Sequence, residues 1–178
     1  PSAGVFPGEV PGSVRVRHAL PAVLPKVSLL VPTRDGIEIL KPCVDAILSL
    51  TAYPDFELLV LDNQSTCKRT LAYFDELTAR DSRVQVLQYD KPFNYSAINN
   101  FGARHASGEI IGLINNDIEP IDGGWLREMV SHVARPEIGC VGAKLYYPDD
   151  SIQHAGVVLG IGGVCLLYTS DAADEAKC

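Results

Sequence analysis

Short apolar runs recur through the middle of the chain, each stopped by polar or turn-forming residues: VSLLV (27–31), FELLVLD (56–62), RVQVLQ (83–88) and EIIGLI (109–114). Their length and Val, Ile and Leu content read as buried strands. Between them the apolar spacing changes to three and four. Over 38–50, Ile39, Leu40, Cys43, Val44, Ile47 and Leu48 fall on one helical stripe, with Pro42 tolerable only near the first turn. Leu71, Phe74 and Leu77 repeat at helical spacing over 67–80. Residues 93–106 read as a helix opened by Asn94 as cap, with Ala97, Ile98 and Phe101 inward. The segment 124–133 is amphipathic, and Asp122 is its expected cap.

Strands alternating with helices predict right-handed βαβ units. The expected class is α/β, Rossmann-like, a mostly parallel sheet with helices on both faces. Further on, CVGAKLYY (140–147) and SIQHAGVVLG (151–160) flank Pro148, Asp149 and Asp150, a turn signature between two expected strands. Residues 1–25 carry prolines at 1, 7, 11, 21 and 25 and no periodic core face, which predicts a flexible Pro-rich segment outside the domain.

Composition narrows the class. At 178 residues the chain is long enough for one domain with its own core, and 47% hydrophobic with 21% charged residues is a globular balance. The net charge of −7, without a Lys/Arg stripe, excludes nucleic acid as an expected partner. No apolar run approaches the ~20 residues of a spanning helix, and the N-terminus lacks the basic start and apolar core of a cleaved signal. The cysteines at 43, 67, 140, 165 and 178 form no CxxC pair, so free packing thiols of a reducing compartment are expected.

In open parallel sheets, ligands sit beyond the carboxyl ends of the strands. Three such ends are polar here: residues 32–35, 62–65 and 115–117. Asp62 can accept from a ribose hydroxyl or a base N–H, or else cap the following helix together with Ser65. Thr33 offers a hydroxyl and Arg34 a guanidinium suited to planar or phosphate groups, unless it is simply solvated. Asp117 can hold Mn²⁺ or Mg²⁺ against a diphosphate, since these hard cations use one or two carboxylates plus substrate phosphates. Asn115 and Asn116 can ligate through carbonyl oxygens or bond a sugar; a local Asx turn before Pro120 is the plainer reading. No GxGxxG, GxxxxGK[ST] or GxSxG occurs, which removes dinucleotide, P-loop and hydrolase-elbow sites. His154 reads as a packed strand histidine, and His18, His105 and His132 form no cluster.

Taken together, VSLLVPTRDG, KPCVDAIL, YPDFELLVLDNQS, FNYSAINNFGARHASGEIIGLINNDIEP and GAKLYYPDDSIQHAGVVLG resemble glycosyltransferase family 2, in particular its rhamnosyltransferase-like, cell-surface polysaccharide branch. The likeness runs over residues 26–164. It implies a GT-A fold, a nucleotide diphosphate-sugar donor, a saccharide or lipid-linked saccharide acceptor, a divalent metal (Mn²⁺ or Mg²⁺) and inversion at the anomeric carbon. By the same resemblance, Pro32, Thr33 and Arg34 contact the nucleotide and Asp62 meets its base or ribose. Asn94, Asn115 and Asn116 complete the donor set, and Asp117 matches the last, metal-binding acid of the family's DxD motif. Asn115 departs from that motif at its first position.

The resemblance also implies that the domain continues for ~100 residues past residue 164, beyond one mononucleotide-binding half. The acceptor site and an acidic general base are therefore expected beyond the end of the chain, and residues 165–178 read as a tail foreign to the family. On this reading the chain itself is inactive. A cytoplasmic protein, attached peripherally at the inner face of the membrane, is the family's implied setting. Two alternatives stand beside it: a non-catalytic nucleotide-binding module, and a sugar-phosphate nucleotidylyltransferase-like enzyme. The latter wants a Gly-rich signature after the first strand, which Gly36 alone does not supply.

Overall fold

The computed structural model describes residues 3–8, 12, 14–159 and 164–166, and the chain divides into two compact units, residues 1–134 and 135–178. In the first unit, β3 (Val27–Thr33), β4 (Phe56–Asp62), β5 (Val84–Gln88) and β6 (Ile110–Leu113) form one sheet in the order β5-β4-β3-β6. All three pairings are parallel, with Val27 opposite both Phe56 and Ile110, and Leu58 opposite Val84. The first strand of this sheet in sequence lies inside it, so the strand order reverses about β3.

The strands are buried on both faces because consecutive residues feed two cores. Val27, Leu29, Val31, Phe56, Leu58 and Val60 face one side. There they meet Leu40, Cys43, Val44 and Ile47 of α1 (Ile37–Leu50), Tyr73, Phe74 and Leu77 of α2 (Lys68–Arg80), and Leu126 and Val130 of α4 (Trp125–Val133). Leu30, Leu59 and Leu61 face the other side against Ile98 of α3 (Tyr95–His105). Each such leucine removed from water is worth about 2 kcal/mol. Gly102 lets α3 approach closely, since a Cβ there would lie 2.7 Å from Leu61 Cδ1. The α/β sheet with helices on both faces is as expected.

Two helical positions differ from the expected stripes. Ile39 is 53% exposed and Leu71 38% exposed. Each lies in the first turn of its helix, at the rim of the stripe, where the sheet no longer covers it. Pro42 sits in the second turn of α1 rather than its first, and the helix runs on through it. Asn94 caps α3 as expected, its Oδ1 accepting from Ala97 N at 2.9 Å. Asp122 serves α4 from one step further out, accepting from Gly124 N at 2.6 Å.

The expectation of a flexible segment over residues 1–25 is corrected. β1 (Ala3–Pro7) and β2 (Val14–His18) pair antiparallel, Ala3 opposite His18 and Pro7 opposite Val14. Arg15 Nε and Arg17 Nε donate to the two carboxylate oxygens of Glu128 on α4 at 2.9 and 3.2 Å. The physical reason is the period-2 alternation in VRVRH, a strand signal that the surrounding prolines obscure.

In the second unit, strand pairing is shorter than expected. β7 (Leu145–Tyr146) pairs antiparallel with β8 (Ile152–His154) around the turn at 148–150, and most of 140–147 is irregular. β9 (Val157–Leu159) pairs antiparallel with β10 (Val164–Leu166). Residues 167–178, most of the expected foreign tail, lie outside the described residues. Of the cysteines expected to pack, Cys43 is buried, Cys67 partly buried and Cys140 exposed. Cys178 lies outside the described residues.

Candidate functional site

Parallel register brings the polar strand ends to one edge. Thr33, the last residue of β3, is opposite Asp62, the last of β4, and Asp62 is opposite Gln88. The ladder continues just past the strands through Asn63 N to Thr33 O (2.8 Å), Tyr89 N to Asp62 O (2.8 Å) and Ile114 N to Leu30 O (2.9 Å). These bonds carry the ladder into the first residue of each loop.

Side chains then tie the loops together. Asn116 Nδ2 donates to Thr33 Oγ1 at 3.1 Å, which links the end of β6 to the end of β3. Thr33 Oγ1 in turn donates to Asp35 O at 3.4 Å. Asp35 N donates to Ser65 Oγ at 2.7 Å, while Asp35 Oδ1 accepts from Thr66 N (2.9 Å) and Cys67 N (2.8 Å). Asn63 Nδ2 reaches across to Tyr89 O and Lys91 O at 3.0 and 2.7 Å, so the loop after β5 is pinned as well.

Asp62 is the buried acid of this edge, 1% exposed. Its Oδ1 accepts from Ser65 N at 3.0 Å, and its Oδ2 has no hydrogen-bond partner among the described residues. A buried carboxylate oxygen without a donor is costly, on the order of 1–3 kcal/mol, and structures seldom tolerate one without a use. Asn63 Oδ1 is in the same condition.

Pro32, Thr33, Arg34, Asn115 and Asn116 line one pocket of about 240 Å³, joined by Phe93 and Tyr95. Five sequence-selected residues from two strand ends therefore share a wall. Asp62, Asn94 and Asp117 do not line it. Asn94 is next to both aromatic residues, but its side-chain oxygen is committed to the α3 cap. Asp117 is exposed on the turn after β6. Its charge is felt at Cys43: burial pushes that thiol up to about 11, and the Asp117 and Glu119 carboxylates add to the shift. Cys43 Sγ also contacts Asn115 O at 3.6 Å, so this turn is seated on α1.

A larger depression, about 450 Å³, lies between the loop after β5 and α3, lined by Gln88, Tyr89, Asp90, Lys91, Ala97, Asn100, Phe101 and Arg104. It contains none of the selected residues. The smaller pocket is the better candidate site because it gathers groups from two strand ends at the edge where open sheets bind ligands.

Among the described residues no three His, Cys, Asp or Glu side chains converge. A cage supplied wholly by protein is therefore not what this edge offers. A single exposed carboxylate at Asp117 fits the sparser arrangement in which a hard cation is completed by substrate phosphates.

Sequence reasoning placed Asp35 and Asn63 at polar strand ends without giving either a role, and it missed Phe93 and Tyr95. The Asp35-Gly36 pair is a turn signal, and both residues are left-handed, with φ of 52° and 65°. Phe93 and Tyr95 are 62% and 44% exposed, and such exposed aromatics on either side of a cap are the signal that was available.

Comparison with known proteins matches this geometry to a family. A model of glycosyl transferase family 2 matches residues 28–163. An uncharacterized protein of Sinorhizobium fredii is 47% identical over 176 residues, 97% of this chain and 19% of the relative. An O-antigen biosynthesis protein of Myxococcus xanthus is 46% identical over 153 residues, 86% of this chain and 12% of the relative. The chain thus spans less than a fifth of either relative.

Among solved structures, a mannosyltransferase from Pyrobaculum calidifontis in complex with GDP-Man and Mn²⁺ superposes with a TM-score of 0.65 at 24% identity, over 74% of this chain and 38% of that one. S. aureus TarS 1–349 in complex with UDP superposes at 0.51 with 22% identity, over 61% and 32%. At those identities the likeness speaks for the fold, which is GT-A. A match across most of the chain, carried on that fold, makes this chain a member of glycosyl transferase family 2.

Proposed function

We propose that residues 26–164 are the donor-binding part of an inverting glycosyltransferase. It transfers a sugar from a nucleotide diphosphate-sugar to a saccharide or lipid-linked saccharide acceptor in cell-surface polysaccharide synthesis. The observation that carries this is the tied edge of the sheet. One pocket wall comes from the ends of β3 and β6, and beside it stands Asp62 with a buried oxygen that lacks a donor. A base N–H or ribose hydroxyl supplies that donor.

Each residue has a role in this reading. Asp62 receives the nucleoside, and Pro32, Thr33 and Arg34 line its phosphate side, Arg34 offering a guanidinium to phosphate oxygens. Asn115 and Asn116 contact the sugar end, with Asn94 at the mouth of the pocket. Asp117 holds Mn²⁺ or Mg²⁺ together with the donor diphosphate; when bound, the cation neutralises the charge that develops on the leaving diphosphate. No residue of this chain is assigned as general base, and the chain alone is expected to bind donor without turning it over. A relative named for O-antigen biosynthesis and solved structures named with GDP-Man and UDP support the substrate class. No helix among the described residues is long and apolar enough to cross a membrane; a cytoplasmic setting with peripheral attachment at the inner membrane face is part of the same proposal.

The test is a thermal-shift titration with UDP-, dTDP- and GDP-sugars, with and without Mn²⁺. At least one nucleotide should stabilise the chain in a metal-dependent way, and Asp117→Ala should remove the metal dependence. Equal stabilisation with and without metal for every nucleotide overturns the role given to Asp117. Absence of any stabilisation overturns the donor reading.

A further inference from the structure

Asp35 closes the polar stretch after β3 but is given no part in the donor reading, yet four of the site's hydrogen bonds pass through it. Its carboxylate sits just before α2, whose first residue is Lys68. The acceptor for Thr66 N and Cys67 N is borrowed from a different loop, more than 30 residues earlier. A Ser or Asp at position 67 would accept only from N–H groups of its own helix. What a local cap would not do is fasten the loop after β4 to the loop after β3.

The backbone tells the same story. Asp35 and Gln64, one in each loop, both have left-handed φ angles, 52° and 63°. Non-glycine residues hold such conformations where surrounding bonds over-determine them, and they cluster at ligand sites. The bonds here are Asp35 N to Ser65 Oγ and the two amides onto Asp35 Oδ1. Ser65 then passes the constraint on, because its own N–H is the group that fixes Asp62 Oδ1. On the other side, Asp35 O receives Thr33 Oγ1, which receives Asn116 Nδ2. The Cys67 N–H, helped by that of Thr66 and by the Arg34 charge, outweighs burial and holds the Asp35 carboxyl below its ordinary range, so the acceptor stays ionised at neutral pH.

We propose that Asp35 is a positioning residue for nucleotide recognition: by locking residues 65–67 it makes the Ser65 N–H orient one oxygen of Asp62 and leaves the other for the nucleoside. The inference rests on the donor reading, since it concerns the same acid. It adds a second level to it, a residue that touches no ligand and sets the geometry of one that does.

The test uses the full 178-residue chain and three variants. Asp35→Gly removes the carboxylate without backbone strain, because glycine accepts the left-handed φ. Asp35→Asn keeps an acceptor oxygen and is also at home there. Ser65→Ala cuts the relay and leaves the α2 cap intact. Affinity for UDP, dTDP and GDP is measured by calorimetry, and amide hydrogen exchange over residues 62–67 is followed without nucleotide. Asp35→Gly is expected to weaken the preferred nucleotide on the order of tenfold and to accelerate exchange at Ser65, whereas Asp35→Asn stays within about threefold of wild type. Ser65→Ala gives an intermediate loss and serves as the decisive variant if Asp35→Gly does not fold.

If wild type binds and both Asp35→Gly and Ser65→Ala bind equally well, the positioning role is overturned. An Asp35→Asn loss as large as that of Asp35→Gly overturns it too, because the effect would then be one of charge. A wild type that binds no nucleotide sinks the donor reading and this inference with it. Altered Ser65 exchange in that case would report the lock alone.

Discussion

Asn116 donates through Nδ2 to Thr33 Oγ1 at 3.1 Å, a bond between residues 83 positions apart that closes the ends of β6 and β3 on each other. Thr33 is 5% exposed, so the bond is shielded from water on one side. Asn116→Ala should cost the fold no more than about 1 kcal/mol, the net worth of one such bond. Its larger effect should be on the pocket wall: nucleotide-dependent stabilisation in the presence of Mn²⁺ is expected to fall several-fold. A thermal-shift series that gives the variant full stabilisation rejects the idea that this bond shapes the site.

At the opposite edge of the sheet, Glu57 is buried and ionised. Burial pushes its carboxyl up, but bonds from Ser28 Oγ, from Ser107 N and Oγ and from Lys26 outweigh this and bring it to about 2, against an ordinary 4.5. The folded-state value is the lower one. Its stabilisation is therefore complete above about pH 4.5 and is lost as the pH falls toward 2. Glu57→Gln is expected to lose roughly 2 kcal/mol at neutral pH, and the gap to wild type should close in acid. Urea midpoints across that range measure it; a gap that does not depend on pH refutes the assignment.

Two glycines predict unequal penalties. A Cβ at Gly108 would stand 2.7 Å from Lys26 O and from Ser28 N, both backbone atoms that cannot yield without moving β3. At Gly102 the nearest atoms are the methyl ends of Leu61 and Leu30, which can rotate away. Gly108→Ala should therefore destabilise by about 2–3 kcal/mol and Gly102→Ala by about half as much, the latter offset by better helix propensity. Equal melting temperatures for the two variants would falsify this account.

The thiols should sort by reactivity. Backbone N–H groups of Thr70 and Arg69 at the start of α2 hold the Cys67 thiol below its ordinary range, so more of it is thiolate near neutral pH. Burial pushes Cys43 up to about 11. A short iodoacetamide pulse mapped by mass spectrometry should label Cys67 well before Cys43, which stays unlabelled until the chain is unfolded. Early labelling of Cys43 would show that α1 does not stay packed on the sheet.

The strands were legible because their signal is local. FELLVLD is apolar at every position but Glu57 and Asp62, and no surface element reads that way. Asn94 was legible as a cap for the same reason, its partner being three residues on. Asp35 was not. Its strand-end place and Asp-Gly turn are local, but its bonding role is not, because its partners Ser65, Thr66 and Cys67 become neighbours only when β3 and β4 pair. The N-terminal hairpin was hidden differently. The alternation in VRVRH was visible, but the acid that its arginines meet is Glu128, more than 100 positions away.

The order β5-β4-β3-β6 has a bearing on how donor choice can change. Because β3 lies between β4 and β6, its loop is flanked by the loops after those two strands, which the proposed reading gives to the nucleoside and to the sugar. Under the proposed reading, a substitution in residues 32–36 perturbs both ends of the donor at once. On the same reading, the loop after β4 serves the nucleoside and the loop after β6 the sugar and the metal-bound diphosphate. Variants that swap the base should therefore arise in residues 63–67 and variants that swap the sugar in residues 115–117, with the loop between them the part least free to vary.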